Sequence, residues 1–256
     1  MIVVMHVFAL GGGDLRVMET LGLDRRIVGA TGNTSPRALF IPTASDDDPE
    51  YCDSFLRTYR DELGCETDLL LLWRERPSDP AIGEKIGRAD LIYVGGGNSR
   101  KMLALWRELG VDALLRTAGE RGTVLSGLSA GANCWFKYCN SDWPLMEGRT
   151  DKITARLECM GLFELTMCPH MRNEEFRPAE FRAMMRDTPG VGIGVDDCAA
   201  FEILGDTYRI VSCAAGSGAH RVFRRGEDVV HERLEPHDDY RLLRDLQDIN
   251  ISVDRN

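Results

Sequence analysis

The stretch Thr123-Val124-Leu125-Ser126-Gly127-Leu128-Ser129-Ala130-Gly131-Ala132-Asn133 decides how the chain is read. An apolar run over 123–128, suited to a buried strand, enters G-x-S-x-G (Gly127 to Gly131), and a segment able to open a helix follows. Strand, sharp turn and helix in that order are the context of a nucleophile elbow. The serine sits on a strained turn, and only small neighbours let strand and helix approach there. Ser129 Oγ is then lifted to the carboxyl end of a sheet, and the next backbone N–H, that of Ala130, faces a developing oxyanion. G-x-S-x-G alone is a weak pattern, and the bland alternative is a Gly/Ser-rich turn without chemistry.

Outward from the elbow, strand-like and helix-like patterns alternate. Strands are expected over 2–10, 37–42, 67–72 and 91–94. Helices are expected from the Asp46-Asp47-Asp48-Pro49-Glu50 start to about Leu63, over 81–88, after an Asn98 cap, and over 111–121. This rhythm implies a mostly parallel α/β sheet with helices on both faces, a three-layer arrangement. Past residue 145 short strands at 192–195, 200–204, 208–211 and 220–223 suggest an antiparallel edge, and 238–247 a last helix. Without repeats or linkers, one domain is expected over 1–256, with a polar tail from about 226.

An activated serine needs a base, an orienting carboxylate and oxyanion donors. Gly95-Gly96-Gly97-Asn98 follows a strand and opens a helix, so it can aim an N–H at the elbow; a phosphate loop would end in GK[ST]. Gly11-Gly12-Gly13 lacks the third glycine of a dinucleotide fingerprint, since Arg16 stands there, and reads as a tight turn. Among five histidines, His170 in Cys168-Pro169-His170-Met171 stands at the end of an apolar segment, against His6, His220, His231 and His237 together. Asp142 and Asp197 are both placed to be the carboxylate, and spacing does not choose between them.

Composition bounds the function. Of 256 residues, 41 are Asp or Glu and 31 Lys or Arg, a net charge of −10. Such a protein repels phosphate backbones, which argues against nucleic-acid and anionic-membrane partners. No apolar run approaches the ~20 residues of a membrane span. The N-terminal residues lack a basic region and a cleavage site, so they read as a strand and the cytoplasm is the default. The eight cysteines include no CxxC pair, and free, mostly packed thiols are expected. Neither a metal nor an organic cofactor is signalled.

Taken together, these motifs resemble the peptidase E family, cytosolic serine peptidases that include aspartyl dipeptidases, with cyanophycinases as relatives. The resemblance runs from Val7-Phe8-Ala9-Leu10-Gly11-Gly12-Gly13 through Phe40-Ile41-Pro42-Thr43-Ala44-Ser45, the GGGN loop, the elbow with Cys134-Trp135-Phe136, and Cys168-Pro169-His170, to Asp196-Asp197. It implies a sheet like that of class I glutamine amidotransferases, with serine in place of their cysteine. Ser129 matches the nucleophile, His170 the general base, and Gly97 and Ala130 the oxyanion donors. The dipeptidases point to Asp142 as the third member and the cyanophycinase-like branch to Asp197, with the lean to Asp142. Arg177 and Arg182 are candidates to hold a substrate carboxylate, although neither falls at the family spacing, and Met171 replaces a frequent aromatic. Asn98 joins them as a substrate-binding candidate.

The expected activity is hydrolysis of small peptides, Asp-Xaa dipeptides included, through a Ser-His-Asp triad and an acyl-enzyme. The partner is a small peptide, and a homodimer is allowed. A non-peptide amidohydrolase or esterase, and a silent binding or regulatory module, are the alternatives. An α/β-hydrolase would instead need His231 or His237 as base.

Overall fold

Near-continuous apolar runs along most of the early strands build the central layer. The computed structural model describes residues 4–250, so residues 2 and 3 of the expected first strand lie outside the described residues. Strands β1 (His6–Leu10), β2 (Arg37–Ile41), β3 (Glu66–Leu69), β4 (Leu91–Val94) and β5 (Val124–Leu128) pair in parallel. Val7, Ala9, Ile92 and Val94 join one apolar cluster, and Phe8, Leu10, Leu91 and Tyr93 the other. A strand buried on both faces is the signature of a parallel sheet covered by helices.

The covering helices are α1 (Leu21–Ala30), α2 (Pro49–Phe55), α3 (Asp79–Arg88), α4 (Ser99–Leu109) and α5 (Val111–Glu120). Leu23, Ile27 and Phe55 of α1 and α2 pack on one face; Ile82, Trp106 and Leu115 of α3, α4 and α5 pack on the other. Phe55 stacks on Phe40 at 4.6 Å and on Tyr59 at 4.3 Å. Each such buried ring contributes about 1.5–3 kcal/mol. Asp48 caps α2 by accepting the Tyr51 N–H at 2.8 Å, with Pro49 in the first turn. The expected single helix to Leu63 is α2 followed by a π-helical turn, Leu56–Glu62.

Past the elbow come α6 (Ala130–Asn133), β6 (Phe136–Ser141), α7 (Trp143–Met146), β7 (Ala155–Glu158), β8 (Phe163–Cys168) and α8 (Arg177–Arg186). Then follow β9 (Val191–Val195), β10 (Ala199–Leu204), β11 (Thr207–Ser212), β12 (Ala219–Arg225), β13 (Asp228–Leu234), β14 (Arg241–Leu242) and α9 (Leu243–Gln247). The late strands divide. The first sheet has the order β14-β11-β10-β1-β5-β4-β2-β3, and β10, β11 and β14 are the expected antiparallel edge. Strands β9 and β12 instead belong to a second sheet, β13-β12-β9-β8-β6-β7. The chain changes sheets at the corner Asp196-Asp197-Cys198, between the end of β9 and the start of β10.

Two expectations are corrected here. Residues after 226 are no polar tail: β13 pairs with β12 from Asp228 to Leu234, and α9 buries Leu246. Half-buried side chains at Val229 and Val230 supply that strand, which the surrounding charges obscure. The last helix starts at Leu243 rather than at 238.

Candidate active site

The strand-to-helix turn after β5 is as tight as its glycines suggest. Ser129 has φ 55° and ψ −108°, a sparsely populated conformation that costs on the order of 1–3 kcal/mol. A Cβ on Gly131 would lie 2.1 Å from the Val94 carbonyl oxygen, and one on Gly127 would lie 2.4 Å from that of Gly131. Both positions therefore need glycine for the turn to press against β4. The helix that follows is a single turn, Ala130–Asn133, shorter than the sequence suggests. The Ser129 N–H donates to Leu10 O at 3.1 Å, tying the elbow to the end of β1.

His170 reaches the serine from the second sheet. Its Nε2 lies 2.9 Å from Ser129 Oγ, and its Nδ1 lies 2.7 Å from Asp197 Oδ1. A carboxylate oxygen accepts, so Nδ1–H is the donor and Nε2 is left to accept the serine hydroxyl proton. The three groups come from three different strand ends: Ser129 after β5, His170 after β8, and Asp197 at the corner between β9 and β10. The His170 and Asp197 side chains are 21% and 23% exposed, shielded yet reachable.

Gly11-Gly12-Gly13 seats this pair. The His170 N–H donates to Gly11 O and the Cys198 N–H to Gly12 O. A Cβ on Gly12 would fall 2.0 Å from Asp197 Oδ1 and 2.4 Å from His170 Nδ1. Read as a tight turn, the cluster is in fact the floor under the histidine. Its position at the end of β1, the central neighbour of β5, is the signal that points there.

The GGGN loop faces the elbow from α4. Gly97 has φ +133°, and a Cβ on it would lie 2.1 Å from Ala44 O. The Gly96 N–H donates to the Tyr51 hydroxyl at 3.2 Å, which fixes the loop. The N–H groups of Gly97 and Ala130 have no hydrogen-bond partner among the described residues. A cleft of about 350 Å³ opens over Ser129, Gly97 and His170, with Asp14, Arg16, Asp48 and Glu50 as its charged lining. These four were missed as site residues, because Asp48 and Glu50 read as a helix start and Arg16 only as a broken glycine motif. Arg16 donates to both oxygens of Asp14, and that hydrogen-bonded pairing holds the Asp14 carboxyl below the usual range.

The remaining candidates sit elsewhere. Asp142 is bound to Arg177 at 3.0 Å, not to His170. Arg177 is 1% exposed and is also held by Glu174 and the Asn140 carbonyl, so it does not face the cleft. Arg182 is exposed on α8, outside the cleft lining. Asn98 is buried at the start of α4, accepting from the Lys101 N–H and donating to Glu147, so it holds the helix rather than a ligand. For Asp142, Arg177 and Asn98 a local partner takes the place of the role that sequence position suggested.

Cysteines surround the site as packing. All eight are free, and Cys213 alone is exposed. Burial pushes the Cys168 and Cys198 thiols up to about 12, so neither supplies a thiolate nucleophile near neutral pH. No cluster of three or more His, Cys, Asp or Glu that could hold a metal occurs among the described residues. No helix there is long and apolar enough to cross a membrane.

Comparison with known proteins bears on the family and the fold. The model of peptidase family S51 matches residues 7–211. The uncharacterized peptidase YgaJ of Bacillus subtilis (strain 168) is 34% identical over 229 residues, 88% of this chain and 94% of its own. Peptidase E of Citrobacter koseri is 34% identical over 90 residues, only 34% of this chain and 37% of its own. Among solved structures, a peptidase from an acI-B1 Actinobacterium superposes with a TM-score of 0.68 at 19% identity, covering 94% of this chain and 98% of the other. A putative peptidase E from Listeria monocytogenes EGD-e gives 0.60 at 20% identity, covering 91% and 100%. At these identities the structural likeness speaks for the fold alone.

Proposed function

The chain belongs to peptidase family S51 and is a serine-type peptidase; we propose that it hydrolyses peptides of about dipeptide size through Ser129, His170 and Asp197. The observation that carries this reading is the continuous chain of hydrogen bonds, 2.9 Å from Ser129 Oγ to His170 Nε2 and 2.7 Å from His170 Nδ1 to Asp197, at a strained elbow. His170 takes the hydroxyl proton as Ser129 attacks the amide carbonyl. The oxyanion is met by the Gly97 and Ala130 N–H groups, which make no hydrogen bond among the described residues. His170 then protonates the leaving amine, and water repeats the cycle on the acyl-enzyme. Asp197 holds the imidazole in the required tautomer.

A cleft of about 350 Å³ suits a small ligand better than a folded chain. Its lining offers both signs of charge: carboxylates at Asp14, Asp48 and Glu50 for a free α-ammonium, and the Arg16 guanidinium for a carboxylate. A dipeptide carries both groups, and an Asp-Xaa dipeptide adds a second carboxylate. The test is a panel of dipeptides, tripeptides and simple esters run on wild type and Ser129→Ala. Turnover of short peptides that vanishes in the variant is expected. Turnover of esters alone would favour the non-peptide hydrolase, and full activity in Ser129→Ala would end the reading.

A further inference from the structure

A second histidine–carboxylate pair lies behind the first. Asp196, beside Asp197 in the chain, is 1% exposed, and its side chain is directed into the second sheet. Its Oδ1 accepts from His220 Nε2 at 3.0 Å, and its Oδ2 accepts from the Gly218 N–H at 3.0 Å. Arg172 and Arg233 lie 3.8 and 3.5 Å from Oδ2. The Asp196 N–H donates to Gly218 O, so the residue is bonded to β12 and its approach through backbone and side chain alike. Burial alone would push this carboxyl up, yet the His220 bond and charge, the Gly218 N–H and Arg172 outweigh it and hold it below the usual range.

His220 is itself buried, and its Nδ1 lies 2.9 Å from His231 Nε2. A neutral His220 that donates through Nε2 accepts at Nδ1 from His231 Nε2–H, and a protonated His220 donates there instead. None of Asp196, His220 and His231 lines the cleft. What they do touch is the frame of the site. Arg172 stands two residues past His170, and its guanidinium donates to Gly216 O at 2.5 Å; Arg233 donates to the same carbonyl at 2.7 Å. Asp196 thus joins the His170 turn, the Asp197 corner and strand β12.

That frame is under strain. His170 has φ 53° and Cys198 has φ 60°, both left-handed positions occupied by side chains that disfavour them. Such residues persist only where the surroundings over-determine them. We propose that Asp196 and His220 are positioning residues, which hold the corner so that Asp197 stays on His170 Nδ1. The inference rests on the catalytic reading of Ser129, His170 and Asp197 given above. Neither residue meets the substrate, so their loss acts on turnover and leaves binding alone.

The test uses the full chain, wild type against His220→Ala, His220→Gln and Asp196→Asn, each checked for folding by circular dichroism. Turnover is measured on a short peptide that the wild type cleaves. Misplacement by about 1 Å can cost roughly 100-fold in rate, so His220→Ala is expected to lower kcat about 10- to 100-fold with KM within about twofold. His220→Gln, which keeps an N–H near the Nε2 position, is expected to recover most of that loss. The downfield imidazole proton of the His170–Asp197 bond, followed by NMR, is expected to shift in His220→Ala and return in His220→Gln. Wild-type kcat in folded His220→Ala would overturn the proposal, as would a loss of kcat with an unmoved resonance. Should Asp196→Asn fail to fold, the two His220 variants decide. Full activity in Ser129→Ala would fail the catalytic reading itself, whereas an inactive Ser129→Ala beside a fully active His220→Ala fails only the positioning role.

Discussion

Asp142 Oδ2 lies 3.0 Å from Arg177 Nη2, and this ion pair withdraws both residues from the cleft. Each is a plausible site residue by position: an acid soon after the elbow and a base soon after the histidine. Burying the guanidinium at 1% exposure requires a carboxylate, and Asp142 supplies it together with Glu174.

The two aspartates should therefore fail differently. Asp197→Asn replaces the carboxylate beside His170 Nδ1 with an uncharged amide whose NH2 can donate to that nitrogen and favour the wrong tautomer, and it is expected to lower kcat by about 10³–10⁴ while the protein stays folded. Asp142→Asn is expected to cost on the order of 3 kcal/mol in stability, because it strips a partner from a buried charge, with kcat of the folded protein within a few-fold of wild type. Urea unfolding and steady-state kinetics on both variants check this. A folded, inactive Asp142→Asn would reverse the assignment.

Gly12 carries a prediction of its own. A methyl group there would overlap Asp197 Oδ1 and His170 Nδ1, at 2.0 and 2.4 Å from the new Cβ. Gly12→Ala is expected to keep the fold and lose at least about 100-fold in kcat, through displacement of the pair. Gly29, where a Cβ meets nothing within 4 Å, is the matched control, and Gly29→Ala should leave kcat unchanged.

Asp24 gives the stability of this protein a pH dependence. Burial pushes its carboxyl up to about 6, against hydrogen bonds from Tyr59 and Thr20. The folded state thus holds the proton more tightly than the unfolded chain. The sign follows: stability from this residue is greatest below about pH 4, declines as pH rises through about 6, and stays reduced above it. Asp24→Asn should unfold at higher urea than wild type at pH 7.5, by up to about 2 kcal/mol, with the difference closing toward pH 4.5. A pH-independent difference would contradict this.

Arg16 is the cation that lines the cleft, so it is the residue to read a carboxylate on the substrate. Arg16→Ala is expected to lower kcat/KM about 10- to 100-fold for peptides with an N-terminal acidic residue, the worth of a charge-assisted hydrogen bond, and little for neutral ones. Arg182→Ala should leave that selectivity unchanged. Equal losses on acidic and neutral peptides would remove Arg16 from specificity.

Much of this was legible in the sequence where one local rule controls the outcome. The elbow glycines at 127 and 131, the strand over Leu91–Val94 and the Asn98 cap depend on neighbours a few residues away, and each lies where its pattern places it. Partners distant in sequence were harder to read. Asp197 meets His170 because the chain changes sheets at that corner, and the apolar runs of β9 and β10 look alike whichever sheet they join. The same crossing hides the second sheet. Arg177 reads as one side of a solvated helix until the fold brings Asn140 and Asp142 to it. Gly12 has no side chain to signal chemistry, and its role appears only once Asp197 is above it.

The most direct test is the site of covalent modification by a fluorophosphonate, mapped by peptide mass spectrometry on the full chain. The predicted result is a single adduct on Ser129 that fails to form in Ser129→Ala and forms far more slowly in His170→Ala, in step with loss of peptide hydrolysis. An adduct on another residue, or undiminished peptidase activity in Ser129→Ala, would contradict Ser129 as the nucleophile.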